Sequence, residues 1–276
     1  GLLRVRMLSM NDAHIYCTID QVAQEVGSNV KMVQDYYAAF GFEDYSFRLS
    51  LWDPEKTEKY IDQPENWKKS EDRLRQIMDD LGVVYTESVG EAAFYGPKVD
   101  IQFKTALGRE ESMSTIQLDF AAKERFGLSY MDENGNQNDE VLVIHRAPLS
   151  THERFVAFLT EHWMGNFPTW ISPTQVQIIT ISERHSDYAG EVASRLKEHK
   201  VRVAVDDSDS TIGRKIRTHR KMRPAYMLII GDGEAADGTV SIRARNGDQR
   251  NGVPLEDFIV GVTEEINNRS SELSLV

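Results

Sequence analysis

The spacing of apolar residues changes once along this chain, and that change restricts the folds open to it. From Lys98 to Lys104 polar and apolar residues alternate, with Val99, Ile101 and Phe103 inward. From Ser112 to Phe120, Ile116, Leu118 and Phe120 alternate with Thr115, Gln117 and Asp119. A period of two predicts strands with one buried face. The turn at Leu107-Gly108-Arg109 and the turn dipeptide Asn134-Gly135 join such strands as successive hairpins. The first part is therefore expected to be an antiparallel sheet, which can present one polar face to a ligand.

After a linker-like stretch, Asn166 to Pro173, strands alternate with helices. Strands are expected at Val176–Ile181, Val201–Val205, Ala225–Ile230 and Thr239–Arg245, and helices at Asp187–His199, Ile212–Lys221 and Leu255–Asn268. This order predicts an α/β domain with a mostly parallel or mixed sheet. With 276 residues the chain has room for two domains, each with its own core. A phosphate loop of the P-loop or Rossmann type is absent from the sequence.

Ahead of the alternating strands, Leu3 to Thr18 reads as strand, loop, strand. Parity places His14 and Tyr16 on one face and Ile15 and Cys17 on the other, so Cys17 is discounted as a metal ligand beside His14. A helix capped by Asp20 should run to Phe40, with Val22, Val26, Val30, Val33 and Tyr37 at helical spacing and Gly41 ending it. Phe42–Leu51 should be a strand, Glu65–Leu81 a second amphipathic helix stopped by Gly82, and Val83–Ser88 a further strand.

The stretch Val141–Leu159 joins a buried strand to a helix, with Ser150 and Glu153 reading as a capping box and Phe155, Val156, Phe158 and Leu159 as its apolar positions. Arg154 stands in the first turn, where a cation is disfavoured by roughly 0.3–1 kcal/mol. Either it is solvated or paired with a surface carboxylate, or an anion is expected there. His145 and Arg146 at the strand end favour the second reading, a nucleotide site at the helix mouth. Asp12, His14, Tyr95, Lys98, Gln117 and His145 are polar groups on or beside strands, more than solubility requires, and their common location would be the informative fact.

A net charge of −12 argues against a general nucleic-acid coat, because non-specific binding comes from Lys and Arg neutralising phosphates. It leaves room for a local basic site. Six of the ten residues from Arg214 to Arg223 are Lys or Arg, which is either a solvated helix face or such a site. No apolar run reaches the ~20 residues of a membrane span, so no membrane partner is expected. The one cysteine, Cys17, fits a reducing compartment, and the cytoplasm is the expected location. The chain opens in strand-like sequence without a methionine, and we expect it to be a piece of a longer protein.

The segments GLLRVRMLSMNDAHIYC, GEAAFYGPKVDIQFK, STIQLDF, VIHRAPLSTHERFVAFL, FPTWISPTQVQII and IGRKIR occur in this order. Together they resemble the threonyl branch of the class II aminoacyl-tRNA synthetases. The resemblance covers essentially the whole chain. It implies a combination of α/β and α+β folds: a partial antiparallel-sheet catalytic domain over residues 1–168, then an α/β anticodon-binding domain with a mixed sheet over residues 169–276. Arg154 is similar to the motif 3 arginine that holds the ATP phosphates, and Arg4 to the arginine on the return strand of motif 2. His14 and His145 match two ligands of the family's Zn2+ site, whose third ligand, a cysteine, lies outside this chain.

Asp12 resembles the carboxylate that accepts the threonine hydroxyl, Tyr95 and Gln117 resemble further substrate contacts, and Lys98 lines the same pocket. Glu234 and Arg243 match positions that read the anticodon, and the basic run near Arg217 would contact anticodon-stem phosphates. The implied activity is ATP-dependent formation of threonyl-adenylate, with Mg2+, and transfer of threonine to tRNA(Thr), by a homodimer formed through segments absent here. Met10 stands where many relatives place a polar residue, His152 replaces an apolar one, and Asp209-Ser210-Thr211 replaces a more basic and amidic stretch. The last of these bears on tRNA affinity, whereas Met10, His152 and the segments absent here give the alternative, a synthetase-like paralogue that binds tRNA, a regulatory RNA or an inhibitor without charging.

Overall fold

The computed structural model describes residues 1–105 and 108–276, so Leu107 of the expected turn lies outside the described residues. They divide into two compact units, Gly1–His162 and Trp163–Val276.

In the first unit, strands β1 (Ala13–Cys17), β2 (Tyr45–Leu51), β3 (Tyr85–Val89), β4 (Lys98–Lys104) and β5 (Glu110–Asp119) form a sheet with β8 (Leu142–Ala147). The short β6 (Tyr130–Met131) and β7 (Gln137–Asn138) make the hairpin at Asn134-Gly135. The sheet order is β1-β8-β5-β4-β2-β3. All its pairs are antiparallel but one: β3 lies parallel to β2. The hairpin expectation missed that pair because β2 and β3 are joined through a helix, and a crossover is what parallel neighbours require.

Helices α1 (Val22–Phe40) and α2 (Pro64–Asp80) bury apolar residues at helical spacing, Val26, Val30, Val33 and Tyr37 in α1 and Trp67, Leu74, Ile77 and Met78 in α2, whereas Leu81, expected on the same stripe, lies past the end of α2 and is exposed. Gly41 ends α1 in the left-handed conformation, at φ 76°. Asp20 is not its cap. Gln21 occupies that position, and its side-chain oxygen accepts from the Thr18 amide at 3.0 Å instead. A short helix α3 (Ala122–Phe126) follows β5, and α4 (His152–His162) follows β8.

Two expectations for the N-terminal segment and α4 are corrected together. Residues 3–6 form no strand; the segment instead runs across the mouth of α4, where Met10 bridges Thr151, Ser9 accepts from the His152 amide at 2.8 Å, and Leu3 accepts from Arg154. The capping box does not form. Thr151 Oγ1 accepts from the Arg154 amide at 3.1 Å, and Glu153 turns to the Ser9 amide at 3.2 Å. Ser150 sits at φ 58°, a left-handed conformation outside the helix. Val156 is about half exposed rather than packed, unlike buried Phe155, Phe158 and Leu159.

The second unit carries the mixed sheet expected of it: β9 (Val176–Thr180), β10 (Val203–Asp206), β11 (Tyr226–Ile230), β12 (Thr239–Ala244) and β13 (Gln249–Pro254), in order β10-β9-β11-β12-β13. The β10-β9-β11 pairs are parallel and the rest antiparallel. Helices α5 (Ser186–Glu198), α6 (Ile212–Arg220), α7 (Asp232–Asp237) and α8 (Leu255–Asn267) accompany it. The sequence reading did not anticipate α7 and β13. The core gathers Val176, Ile178, Val192, Leu228, Ile242 and Phe258, among others.

Residues 166–173 are more than a spacer. Arg245 donates to the Asn166 and Phe167 carbonyls at 3.1 and 2.8 Å, and Thr169, fully buried, donates to Glu265.

Candidate functional sites

Strand register assembles the first site. On one face of the first sheet, His14 opposes His145, His145 opposes Gln117, Gln117 opposes Lys98, and Lys98 opposes Ser50. The next rung on that face runs Ala147, Thr115, Asp100, Arg48. Residues two apart on a strand share a face, so this polar surface follows directly from pleat and pairing. The opposite parity, Val99, Ile101, Ile116 and Leu118, is buried.

Met10, Asp12, Tyr95, Thr115, Gln117 and His145 line one concavity of about 230 Å³, together with Arg146 and Ala147. The structure thus brings together four of the residues singled out from sequence: Asp12, Tyr95, Gln117 and His145. The Tyr95 hydroxyl donates to Gln117 Oε1 and its ring lies 5.1 Å from that of His145. Burial pushes the Tyr95 phenol up to about 12, with the Asp119 and Asp12 carboxylates adding to the shift, so it stays a neutral donor.

His14 and His145 meet edge to face with ring centroids 4.4 Å apart. His145 Nε2 lies 3.0 Å from Asp119 Oδ2, while Asp119 Oδ1 accepts from the Ala121 and Ala122 amides at 2.8 Å each. A carboxylate fixed in this way orients an imidazole and selects its tautomer, as it does behind metal-ligating histidines. Asp119 was read only as a polar alternation in β5; its partnership with His145 follows from a diagonal across two paired strands.

Among the described residues no group of three His, Cys, Asp or Glu could hold a metal ion. The donor set fits a metal only as two imidazoles with a third ligand from elsewhere, since catalytic zinc takes three protein ligands. Cys17 supplies none: it is buried on the other face, and burial with the nearby Glu25 raises its thiol to about 11.

Lys98 sits one strand beyond Gln117, with Nζ 2.7 Å from Asp100 Oδ2. Arg154 lies in the first turn of α4, and its Nε donates to the Leu3 carbonyl at 3.1 Å. Arg4, the next residue, is exposed on the same segment. Arg154 is therefore at the mouth of α4, and Arg4 belongs to the segment that crosses it.

In the second unit the outer face of β12 collects the other candidates. Val240, Ile242 and Ala244 are buried, so Ser241, Arg243 and Arg245 share the opposite face. Ser241 donates to Glu234 Oε1 at 2.6 Å, and Glu234 Oε2 accepts from the Gly231 amide at 2.9 Å. Burial alone would raise the Glu234 pKa, but these bonds outweigh it and hold the carboxyl below its usual range.

Arg217, Arg220, Lys221, Arg223 and Arg245, with Asn166, line a concavity of about 560 Å³. The basic run is not one solvated face, however. Lys215 is 1 % exposed and donates to the Thr180 carbonyl at 3.0 Å, pinning α6 to the carboxyl ends of the parallel strands. Arg245 was missed from sequence; its guanidinium reaches three backbone carbonyls, of Arg223, Asn166 and Phe167. Burial, with the neighbouring Arg223 charge, lowers its pKa.

No helix among the described residues is long and apolar enough to cross a membrane. The chain matches the model of the tRNA synthetase class II core domain (G, H, P, S and T) over residues 1–163 and that of the anticodon binding domain over residues 175–265. It is 47 % identical over 267 residues to the threonine–tRNA ligase of Staphylococcus aureus, covering 96 % of this chain and 41 % of that protein. To the threonine–tRNA ligase of Bacillus velezensis it is 49 % identical over 260 residues, 94 % of this chain and 40 % of that one. The chain thus spans about two fifths of the length of these curated relatives.

A crystal structure of the RNA binding domain of threonyl-tRNA synthetase from Cryptosporidium parvum is similar at a TM-score of 0.87 with 35 % identity, over 96 % of this chain and 66 % of that chain. A structure described as threonyl-tRNA synthetase ThrRS-1 from Aeropyrum pernix is similar at 0.73 with 25 % identity, over 100 % of this chain and 67 % of that chain. With a family model spanning residues 1–163 and an antiparallel sheet whose polar rungs converge on one cleft, the chain belongs to the class II tRNA synthetases.

Proposed function

We propose that the protein is a threonine–tRNA ligase, which activates threonine with ATP and transfers it to tRNA(Thr). The observation that carries this reading is the convergence of Asp12, Tyr95, Gln117 and His145 on one small polar cleft of a class II sheet. The threonine–tRNA ligases 47 and 49 % identical to this chain support the choice of amino acid.

In this reading residues 1–168 are the catalytic domain and residues 169–276 the anticodon-binding domain. Asp12 accepts the threonine side-chain hydroxyl, and Tyr95 and Gln117, already bonded to each other, orient the amino acid. A site built around a hydroxyl rejects an isosteric substrate that lacks it, because its own polar groups are then left unpaired. Arg4 and Arg154 hold the ATP phosphates at the mouth of α4, where guanidinium groups bind phosphate oxygens bidentately and stabilise charge during displacement. His14 and His145 would hold Zn2+ together with a third ligand; bound there, the metal would supply a Lewis acid for threonine's amino and hydroxyl groups, and Mg2+ with ATP would neutralise phosphate charge.

In the second domain Arg217 contacts phosphates of the tRNA stem, while Glu234 and Arg243 read anticodon bases. Phosphate contacts position and base contacts specify. A homodimer and a cytoplasmic location complete the proposal. Threonine-dependent ATP–pyrophosphate exchange by the full-length protein tests it: exchange with threonine and zinc, and none with valine, is expected. No exchange in the presence of zinc would overturn the enzyme reading in favour of a paralogue that binds RNA without charging it.

A further inference from the structure

Asp100 is the most deeply buried charge on the polar face of the first sheet, with no exposed surface. It stands in β4, between β2 and β5, one rung from the cleft. Its Oδ2 accepts from Lys98 Nζ at 2.7 Å, Ser50 Oγ at 2.7 Å and Arg48 Nη2 at 3.1 Å, and its Oδ1 accepts from Thr115 Oγ1 at 3.2 Å. Thr115 itself lines the cleft. Two cations share one carboxylate, so the cluster keeps one net positive charge.

Stability alone is a poor reason for such a cluster. Burying ions costs several kcal/mol each, and apolar residues of similar volume often serve as well or better. The arrangement instead constrains geometry. Lys98 has a flexible four-carbon stem, and an ammonium without a fixed partner would sample many rotamers. Asp100 removes that freedom. Lys98 is then held as the cross-strand neighbour of Gln117, which lines the cleft. Arg48 and Ser50 grip the carboxylate from β2, so it cannot swing away with the lysine.

We propose that Asp100 is a positioning residue that fixes the Lys98 ammonium beside Gln117, where its charge meets the anionic groups of the reactants. This rests on the synthetase reading of the cleft, and the effect of Asp100 on chemistry runs only through Lys98. The carboxylate screens part of the lysine charge, while Arg48, bonded to the same oxygen, offsets that screening. Loss of Asp100 therefore misplaces Lys98 more than it unbinds any substrate directly.

The test is a double-mutant cycle in the full-length protein, read by threonine-dependent ATP–pyrophosphate exchange with kcat and KM for ATP and threonine measured separately. Asp100→Asn and Lys98→Gln should each lower kcat/KM by about 10- to 100-fold, the range for a hydrogen bond to a charged group. The double variant should be no worse than Lys98→Gln alone, within about twofold. Additive losses, or full activity in Asp100→Asn, would overturn the proposal. If Asp100→Asn does not fold, Arg48→Gln replaces it in the cycle, with a smaller loss that again vanishes in the Lys98→Gln background. If the wild-type protein exchanges nothing, the synthetase reading fails and a crystal structure of Asp100→Asn decides. A displaced Lys98 side chain with β4–β5 register retained supports the positioning role, and an unmoved one refutes it.

Discussion

His14 and His145 are register partners across the β1–β8 pair, and their rings meet edge to face at 4.4 Å. The sequence separates them by more than a hundred residues. Asp119 braces one of the two, so His145 is oriented while His14 stands exposed.

Zinc content checks the metal proposal. The full-length protein should bind about one zinc per chain, and either His14→Ala or His145→Ala should remove it, because a site cut below three protein ligands holds the ion weakly. Asp119→Ala should weaken zinc affinity by about 10- to 100-fold without abolishing it. Metal analysis after dialysis against a mild chelator measures both, and retained stoichiometric zinc in either histidine variant refutes the assignment.

Gly96 joins Tyr95 to β4 where the chain passes against β5. A Cβ there would overlap the Leu118 carbonyl oxygen and lie 2.9 Å from its carbon. Backbone cannot give way as a side-chain end can, so Gly96→Ala should destabilise the first unit by about 3 kcal/mol. Urea denaturation should register the loss, and a variant with unchanged midpoint would contradict the close approach.

Arg217 and Glu234 should fail differently. Arg217→Ala should weaken binding of all tRNAs alike and lower the salt-dependence slope by about 1. Glu234→Gln should leave that slope unchanged and relax discrimination between anticodon variants. Filter binding across a salt series separates the outcomes, and equal slopes for wild type and Arg217→Ala would remove the arginine from the phosphate contacts.

Glu234 also carries a pH dependence. Its folded pKa is lowered from 4.5. A lowered carboxyl contributes stability that is present above the unfolded value and lost as pH falls through the folded one. The stability of the second unit should therefore drop below pH 4.5, and Glu234→Gln should flatten that part of the acid limb. Calorimetry between neutral pH and pH 3 tests this, and an identical acid limb in the variant would show that the Ser241 and Gly231 bonds do not matter.

Local pattern was readable where it is governed by local physics. The alternation of β4 and β5, the apolar stripes of α1 and α2, and the Gly41 terminator each follow from side-chain periodicity and backbone sterics. The errors fall where a tertiary partner competes. Glu153 could have closed a capping box, but the Ser9 amide offered it another bond once the N-terminal segment crossed α4. Residues 3–6, strand-like in composition, form no strand among the described residues. Lys215 looked like one more member of a basic face and is instead an interior anchor.

The sequence by itself determined the two-part architecture, the buried faces and the polar residue types, because these depend on hydrophobic period and on chain length. Only the tertiary structure decided which polar residues meet. Register between β1, β8, β5, β4 and β2 set His14 against His145, Lys98 beside Gln117, and Asp100 between Thr115 and Arg48. Pairing register is a non-local property: shifting one strand by a single residue would turn its site residues to the other face.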